Sequence, residues 1–156
     1  MRDEKTAASD RKRLMTFSVG DACYGLPIEQ VLEVLNHRPL TPVPLAPPSV
    51  AGLMNLRGQV VTAIDLARRL EVAASAAGDL KPMNVVIREG ETVVSLLVDK
   101  IGDVIDVEET AFQQPPETLR GSARDLIRGA YRLEDGLLLL LDAREILDLE
   151  GESESC

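Results

Sequence analysis

A chain of 156 residues, 45% hydrophobic and 28% charged, has the composition of one globular domain or two very small ones, and it can build a core without a disulfide or a metal. Its net charge of −9 argues against nucleic-acid binding, which needs a basic surface for phosphate contacts. A single histidine, His37, excludes paired-histidine metal motifs and every two-histidine mechanism.

Residues 1–13 are polar, without hydrophobic period, and read as a flexible N-terminal lead-in with nothing of a signal peptide. Residues 14–19 read as a strand, Gly20-Asp21 as a turn, and residues 23–28 as a second strand whose Pro27 marks an end or an edge. In residues 29–35 (EQVLEVL) the period changes. Val31, Leu32 and Leu35 recur at helical spacing, which predicts a short amphipathic helix with His37 beyond its end. Pro39, Pro42, Pro44, Pro47 and Pro48 then impose extended backbone, and Ser49 reads as the cap of a further short turn reaching Asn55. Residues 59–64 form a strand, and Asp65 opens a helix over 66–70.

The small residues at 73–79 sit in a linker of about 71–82. Residues 83–88 and 92–98 read as a hairpin and 101–107 as a third strand. Residues 113–124 contain proline and read as a loop. Residues 126–133 and 137–141 make a second hairpin across Glu134-Asp135-Gly136, and Asp142 opens the last helix. Six acids and one arginine crowd into residues 142–156, so the segment from 150 on reads as a solvated acidic tail. The longest purely aliphatic run, 137–141, is too short to span a membrane by a helix. Cys23 and Cys156 are far apart and no Cys-x-x-Cys occurs, which favours a reducing, cytoplasmic setting.

The strands and helices repeat. VVTAIDLARRL (60–70) and LLLLLDAREIL (137–147) are each a strand, an Asp and a short helix, and each half opens on a strand–turn–strand. The halves are about 14–70 and 83–149. The expected fold is mainly β: two small closed barrels with short helices, pseudo-duplicated, over about residues 14–149.

Catalytic constellations are missing. No Gly-x-Ser-x-Gly, cysteine–histidine pair, phosphate loop, dinucleotide fingerprint or calcium loop occurs. Asp65 and Asp142 read as helix caps rather than as paired carboxylates, and the run Asp103, Asp106, Glu108, Glu109 as a solvated strand end. No catalytic residue, metal or cofactor is therefore expected. The informative stretch is GLMNLRGQVVTAID (52–65), where Arg57 precedes Gly58. Two readings of Arg57 stay open: it pairs with a nearby acid to close the turn, or it is an exposed recognition arginine.

Five segments together carry a family resemblance: FSVGDACYGLPIEQVLEVL, TPVPLAPPSVAGLMNLRGQVV, AIDLARRL, VSLLVDKIGDVIDV and GAYRLEDGLLLLLDAREIL. In order and spacing over about 14–149, the chain resembles the CheW-type chemotaxis coupling proteins. Thr62 departs from the pattern, since many relatives carry proline there. The resemblance implies a cytoplasmic, non-catalytic adaptor of two small five-stranded barrel-like subdomains, recruited to receptor arrays. Its implied partners are the cytoplasmic tip of a methyl-accepting chemoreceptor and the regulatory domain of a CheA-type histidine kinase, with no nucleic acid and no direct membrane insertion. An alternative is the same adaptor in a chemosensory system with another output, such as gliding or pilus motility or gene regulation. The implied receptor-facing residues are Val31, Glu33 and Val34, then Asn55, Leu56, Arg57 and Gly58, with Val98 and Asp99 on the other side of a groove.

Overall fold

The computed structural model describes residues 11–72, 81–115, 117, 122–134 and 136–149. Eleven strands and three short helices are found among them: β1 (Arg11–Val19), β2 (Ala22–Pro27), β3 (Val31–Leu35), β4 (Val50–Leu56), β5 (Gln59–Asp65), α1 (Leu66–Leu70), β6 (Met83–Glu89), β7 (Thr92–Val98), β8 (Lys100–Glu108), β9 (Phe112–Gln113), α2 (Ser122–Leu126), β10 (Ile127–Leu133), β11 (Gly136–Leu141) and α3 (Ala143–Leu147). They form a six-stranded sheet, β8-β1-β2-β11-β10-β9, and a five-stranded sheet, β3-β6-β7-β5-β4. The expected mainly-β class with two small sheets is what the chain adopts. The sixth strand of the larger sheet is the two-residue β9.

Both sheets curl. In the five-stranded sheet Val86 of β6 clusters with Met54 and Leu56 of the far edge strand β4. In the six-stranded sheet Val107 of edge strand β8 shares a cluster with Tyr131 of β10 and Leu138 and Leu140 of β11. Between the sheets lies one larger cluster. Phe17 and Leu26 come to it from one sheet, Ile64, Val85, Leu96 and Val98 from the other, and Leu66, Leu70, Leu126 and Ile146 from the helices.

The repeat is present, but the sheets do not divide at the boundary between 14–70 and 83–149. Each sheet takes its first hairpin from one repeat, and its third strand and second hairpin from the other. Hairpin β1–β2 pairs with β8 and, in parallel, with β11. Hairpin β6–β7 pairs with β3 and, in parallel, with β5. The contiguous halves expected as subdomains are therefore exchanged. Parallel pairing explains why local reading misses this: a parallel partner must arrive by a long crossover, and here the crossover passes to the other sheet.

Four local expectations differ. Residues 29–35 are not a helix: a 3-10 turn at Ile28–Gln30 leads into strand β3, which pairs Val31↔Ile87, Glu33↔Val86 and Leu35↔Asn84. A bulge between Val31 and Glu33 breaks the alternation, so the apolar spacing imitates a helical period, while β-branched Val31 and Val34 suit an extended chain. His37 consequently follows a strand. Ser49 starts no helical turn, because β4 begins at Val50 and the Ser49 carbonyl accepts the Asp65 amide at 2.7 Å. Residues 11–13 belong to β1, where Arg13 Nε meets Asp106 Oδ1 at 2.9 Å across the pair Arg13↔Asp106. Within 113–124, Gln113 is in β9, and α2, from Ser122, buries Ala123 and Leu126. The lead-in at 1–10, the linker residues 73–80 and the tail from 150 lie outside the described residues.

Asp65 and Asp142 both cap helices. Asp65 accepts the Arg68 amide at 3.4 Å, and Asp142 accepts the amides of Arg144 and Glu145 at 3.0 and 3.4 Å. Asp142→Ala is expected to cost about 0.5–2 kcal/mol, and Asp65→Ala to fall at the low end of that range with its single long bond. Urea unfolding of the two variants measures both.

Candidate functional site

The hairpin β4–β5 closes on two residues, Arg57 and Gly58, between the paired Leu56 and Gln59. Both have positive φ, 53° for Arg57 and 83° for Gly58. That is the condition of the two-residue turn whose twist matches the flanking strands, and glycine meets it without a Cβ penalty. Asn55 Oδ1 accepts the Gly58 amide at 2.8 Å, which ties the turn from inside the loop. Arg57 is thus carried on a backbone with little freedom.

Its guanidinium forks onto Glu33 of β3. Nη2 donates to Oε1 at 2.7 Å and Nη1 donates to Oε2. The Glu33 side chain is 22% exposed and that of Arg57 73%. The pair therefore joins β3 to the β4–β5 turn, the two edges of the curled five-stranded sheet, and leaves the arginine facing solvent. Of the two readings of Arg57, the pairing with a nearby acid is present in the geometry, and exposure accompanies it.

The hydrogen bond from Arg57 holds the Glu33 carboxyl below its usual range, against the opposing effect of partial burial. A depressed carboxylate stabilises the fold above the ordinary glutamate pKa, and that contribution is lost as pH falls through the lowered value. Glu33 is expected to titrate below an ordinary glutamate, and Arg57→Gln to return it toward normal. Carboxyl-carbon NMR titration of the two proteins reads this directly.

The structure brings Glu33, Asn55, Arg57 and Gly58 together, with half-buried Val31 and Val34 beside Glu33 on β3. Leu56 is 7% exposed and packs inward with Met54, Val61 and Val86, so it supports the turn rather than lining its surface. Val98 and Asp99 are not part of this patch. Strands β5 and β7 run parallel with Thr62 opposite Val94, which sets Val98 roughly 26–30 Å along the strands from the Arg57 turn. Val98 is buried in the cluster between the sheets. Asp99 holds the β1–β2 turn: its Oδ2 accepts the Gly20 amide at 2.7 Å and its own amide donates to the Ser18 carbonyl at 2.9 Å.

Two apolar residues beside the patch escaped the sequence reading. Leu32, next to Glu33, is 46% exposed, and Val60, paired with Asn55, is 66% exposed. Val60 could have been found, since the alternation of β5 with Val61 inward puts it outward. Leu32 could not, because the residues around it read as helix. Among the described residues no cluster of three or more His, Cys, Asp or Glu is placed to hold a metal, and no helix is long and apolar enough to cross a membrane. A shallow groove of about 470 Å³ beside Gln113, Arg132 and Leu137 contains none of the patch residues.

Comparison with known proteins bears on this geometry. The family described as a CheW-like domain matches residues 13–151. The chain is 31% identical over 139 residues to the chemotaxis protein CheW of Rhizobium meliloti, covering 89% of each chain. It is 32% identical over 132 residues to the chemotaxis protein CheW of Helicobacter pylori, covering 84% of this chain and 78% of the relative. Protein FrzA of Myxococcus xanthus is 34% identical over 116 residues, covering 73% of this chain and 72% of the relative. The fold superposes on the crystal structure of the scaffolding protein TtCheW from Thermoanaerobacter tengcongensis with a TM-score of 0.79 at 23% identity, covering 90% of both chains.

Proposed function

Because the chain belongs to the CheW-like family, we propose that it is a non-catalytic adaptor that couples methyl-accepting chemoreceptors to a CheA-type histidine kinase in the cytoplasm. The observation that carries the proposal is the Arg57–Glu33 fork on the rigid β4–β5 turn. A guanidinium already extended and held by one carboxylate loses little freedom on meeting a second one, which is the advantage of a preorganised contact. Around it Asn55, Gly58, Leu32 and Val60 are exposed, and Val31 and Val34 are half-buried. This combination of a charged fork and an aliphatic rim suits the charged, helical tip of a receptor. In this reading the receptor meets Glu33, Asn55, Arg57 and Gly58 with Val31 and Val34. Leu56 props the turn from within, Val98 and Asp99 keep structural work elsewhere, and the kinase regulatory domain uses another edge.

An adaptor needs no reacting group, because its work is to link two binding equilibria. Likeness to protein FrzA supports a second reading, in which the same coupling serves a chemosensory system with a different output. Calorimetry of the purified chain with a receptor-tip fragment, with a kinase regulatory domain, and with both tests the proposal. Two binary complexes and a ternary complex are expected. Failure to bind either partner from any chemosensory system of the same cell would reject the adaptor role.

A further inference from the structure

Arg69 is a buried charge, 8% exposed, on the short helix α1. Among the described residues its guanidinium makes three hydrogen bonds, all to backbone carbonyls of the last helix, α3, and the residue after it. Nε donates to the Ile146 carbonyl at 3.0 Å, and Nη2 donates to those of Glu145 and Asp148 at 2.7 and 2.8 Å. Helix α1 follows β5 of the five-stranded sheet, and α3 follows β11 of the six-stranded sheet. The guanidinium therefore ties one sheet's terminal helix to the other's.

The two helices end differently. Helix α1 closes itself, with Glu71 in the left-handed conformation (φ 61°) and its amide returned to Ala67 and Arg68. Helix α3 has no left-handed residue at its end. Asp148, at φ −82° and ψ 86°, returns one amide to Glu145. The last carbonyls of a helix need donors from elsewhere, and a cation there also meets the negative end of the helix dipole. Arg69 meets both needs from the opposite repeat. Its equivalent in the second repeat is Ile146, the residue whose carbonyl it holds. An apolar cluster fills the space between the sheets, but the hydrophobic driving force that buries it is non-directional. Three directed bonds on one guanidinium fix an angle.

We infer that Arg69 is a positioning residue that locks the two sheets in one orientation, and that this lock carries the coupling between receptor and kinase. The second half rests on the adaptor reading, and the first does not. Two measurements separate them. Spin labels at Glu91→Cys, in the β6–β7 turn of the five-stranded sheet, and Leu137→Cys, on β11 of the six-stranded sheet, with Cys23 and Cys156 replaced by Ser, report the inter-sheet distance. A narrow distribution is expected with Arg69, a broadened one with Arg69→Met, and an intermediate one with Arg69→Lys. Equal widths in folded Arg69→Met and in the parent would overturn the lock.

In a reconstituted receptor–adaptor–kinase assembly, Arg69→Met is expected to bind each partner within about twofold of the parent and to lose about tenfold of receptor-dependent kinase activity, with partial rescue by Arg69→Lys. Leu138→Val, chosen to lower thermal stability without touching the helix junction, should keep full coupling. Undiminished coupling in Arg69→Met, or equal loss in Leu138→Val, would overturn the coupling role. A parent protein that binds neither partner rejects the adaptor reading and leaves the distance measurement to decide the lock alone.

Discussion

Arg57→Glu is expected to weaken receptor binding by about 2–5 kcal/mol, some thirtyfold to several thousandfold, while the fold and kinase binding persist. The fork is on the surface, so its removal costs the fold little: exposed ion pairs contribute about 0–1 kcal/mol. The substitution adds no backbone strain beyond that already carried, because Arg57 is itself a Cβ-bearing residue at φ 53°. What changes is charge. Two carboxylates, Glu33 and the new one, would face any acidic group on the receptor tip. The double swap Arg57→Glu with Glu33→Arg separates two mechanisms. It restores an internal pair in reversed order, so binding returns if the pair matters only as a brace for β3, and stays lost if the outward arginine reads the partner. Calorimetry with receptor fragment and kinase domain, with thermal melting as control, decides it. Equal loss of both partners would assign Arg57 to the fold alone.

Phe17→Ala should cost about 3–5 kcal/mol and unfold the two sheets together. Phe17 is 1% exposed on β1 and belongs to the cluster that also holds Ile64, Val85 and Leu96 of the other sheet. For a chain of this length that loss lowers the melting temperature by on the order of 10 °C. A single transition is expected, with amide exchange accelerated in β6 and β7 as much as in β1 and β2. Two separated transitions would mean that the sheets are independent domains and that the cluster between them does not couple them. The same cluster is the background against which Arg69 would act: the aliphatic core holds the sheets in contact, and the guanidinium sets their angle.

Much of the candidate site was legible because it is local. Arg57-Gly58 stands out as a turn, Asn55 sits where a side chain can accept the Gly58 amide, and Asp65 and Asp142 occupy cap positions. Glu33 was found through family resemblance and placed on the wrong element. A bulge in β3 produces the spacing of a helix over five residues, and only pairing with β6 decides between the two. The Arg57–Glu33 pair itself spans 24 positions and depends on the curl of a sheet, which no window of sequence contains. Arg69 was visible only as an arginine on a short helix, since its partners are carbonyls, and every residue has one.

By itself the sequence determined eight of the eleven strands (β3, β4 and β9 excepted), the aliphatic core, the repeat and the two caps, because alternation, turn chemistry and capping act across two to five residues. Tertiary structure alone decided that the repeats exchange hairpins, that residues 31–35 extend along β6, and that Arg69 reaches α3 of the opposite repeat. The physical reason is the same in each case. A strand edge pairs with any other strand, and a helix-end carbonyl accepts any donor, of suitable geometry. Which donor arrives is settled by the packing of the whole chain, and in that packing the exchanged hairpins share the apolar cluster between the sheets.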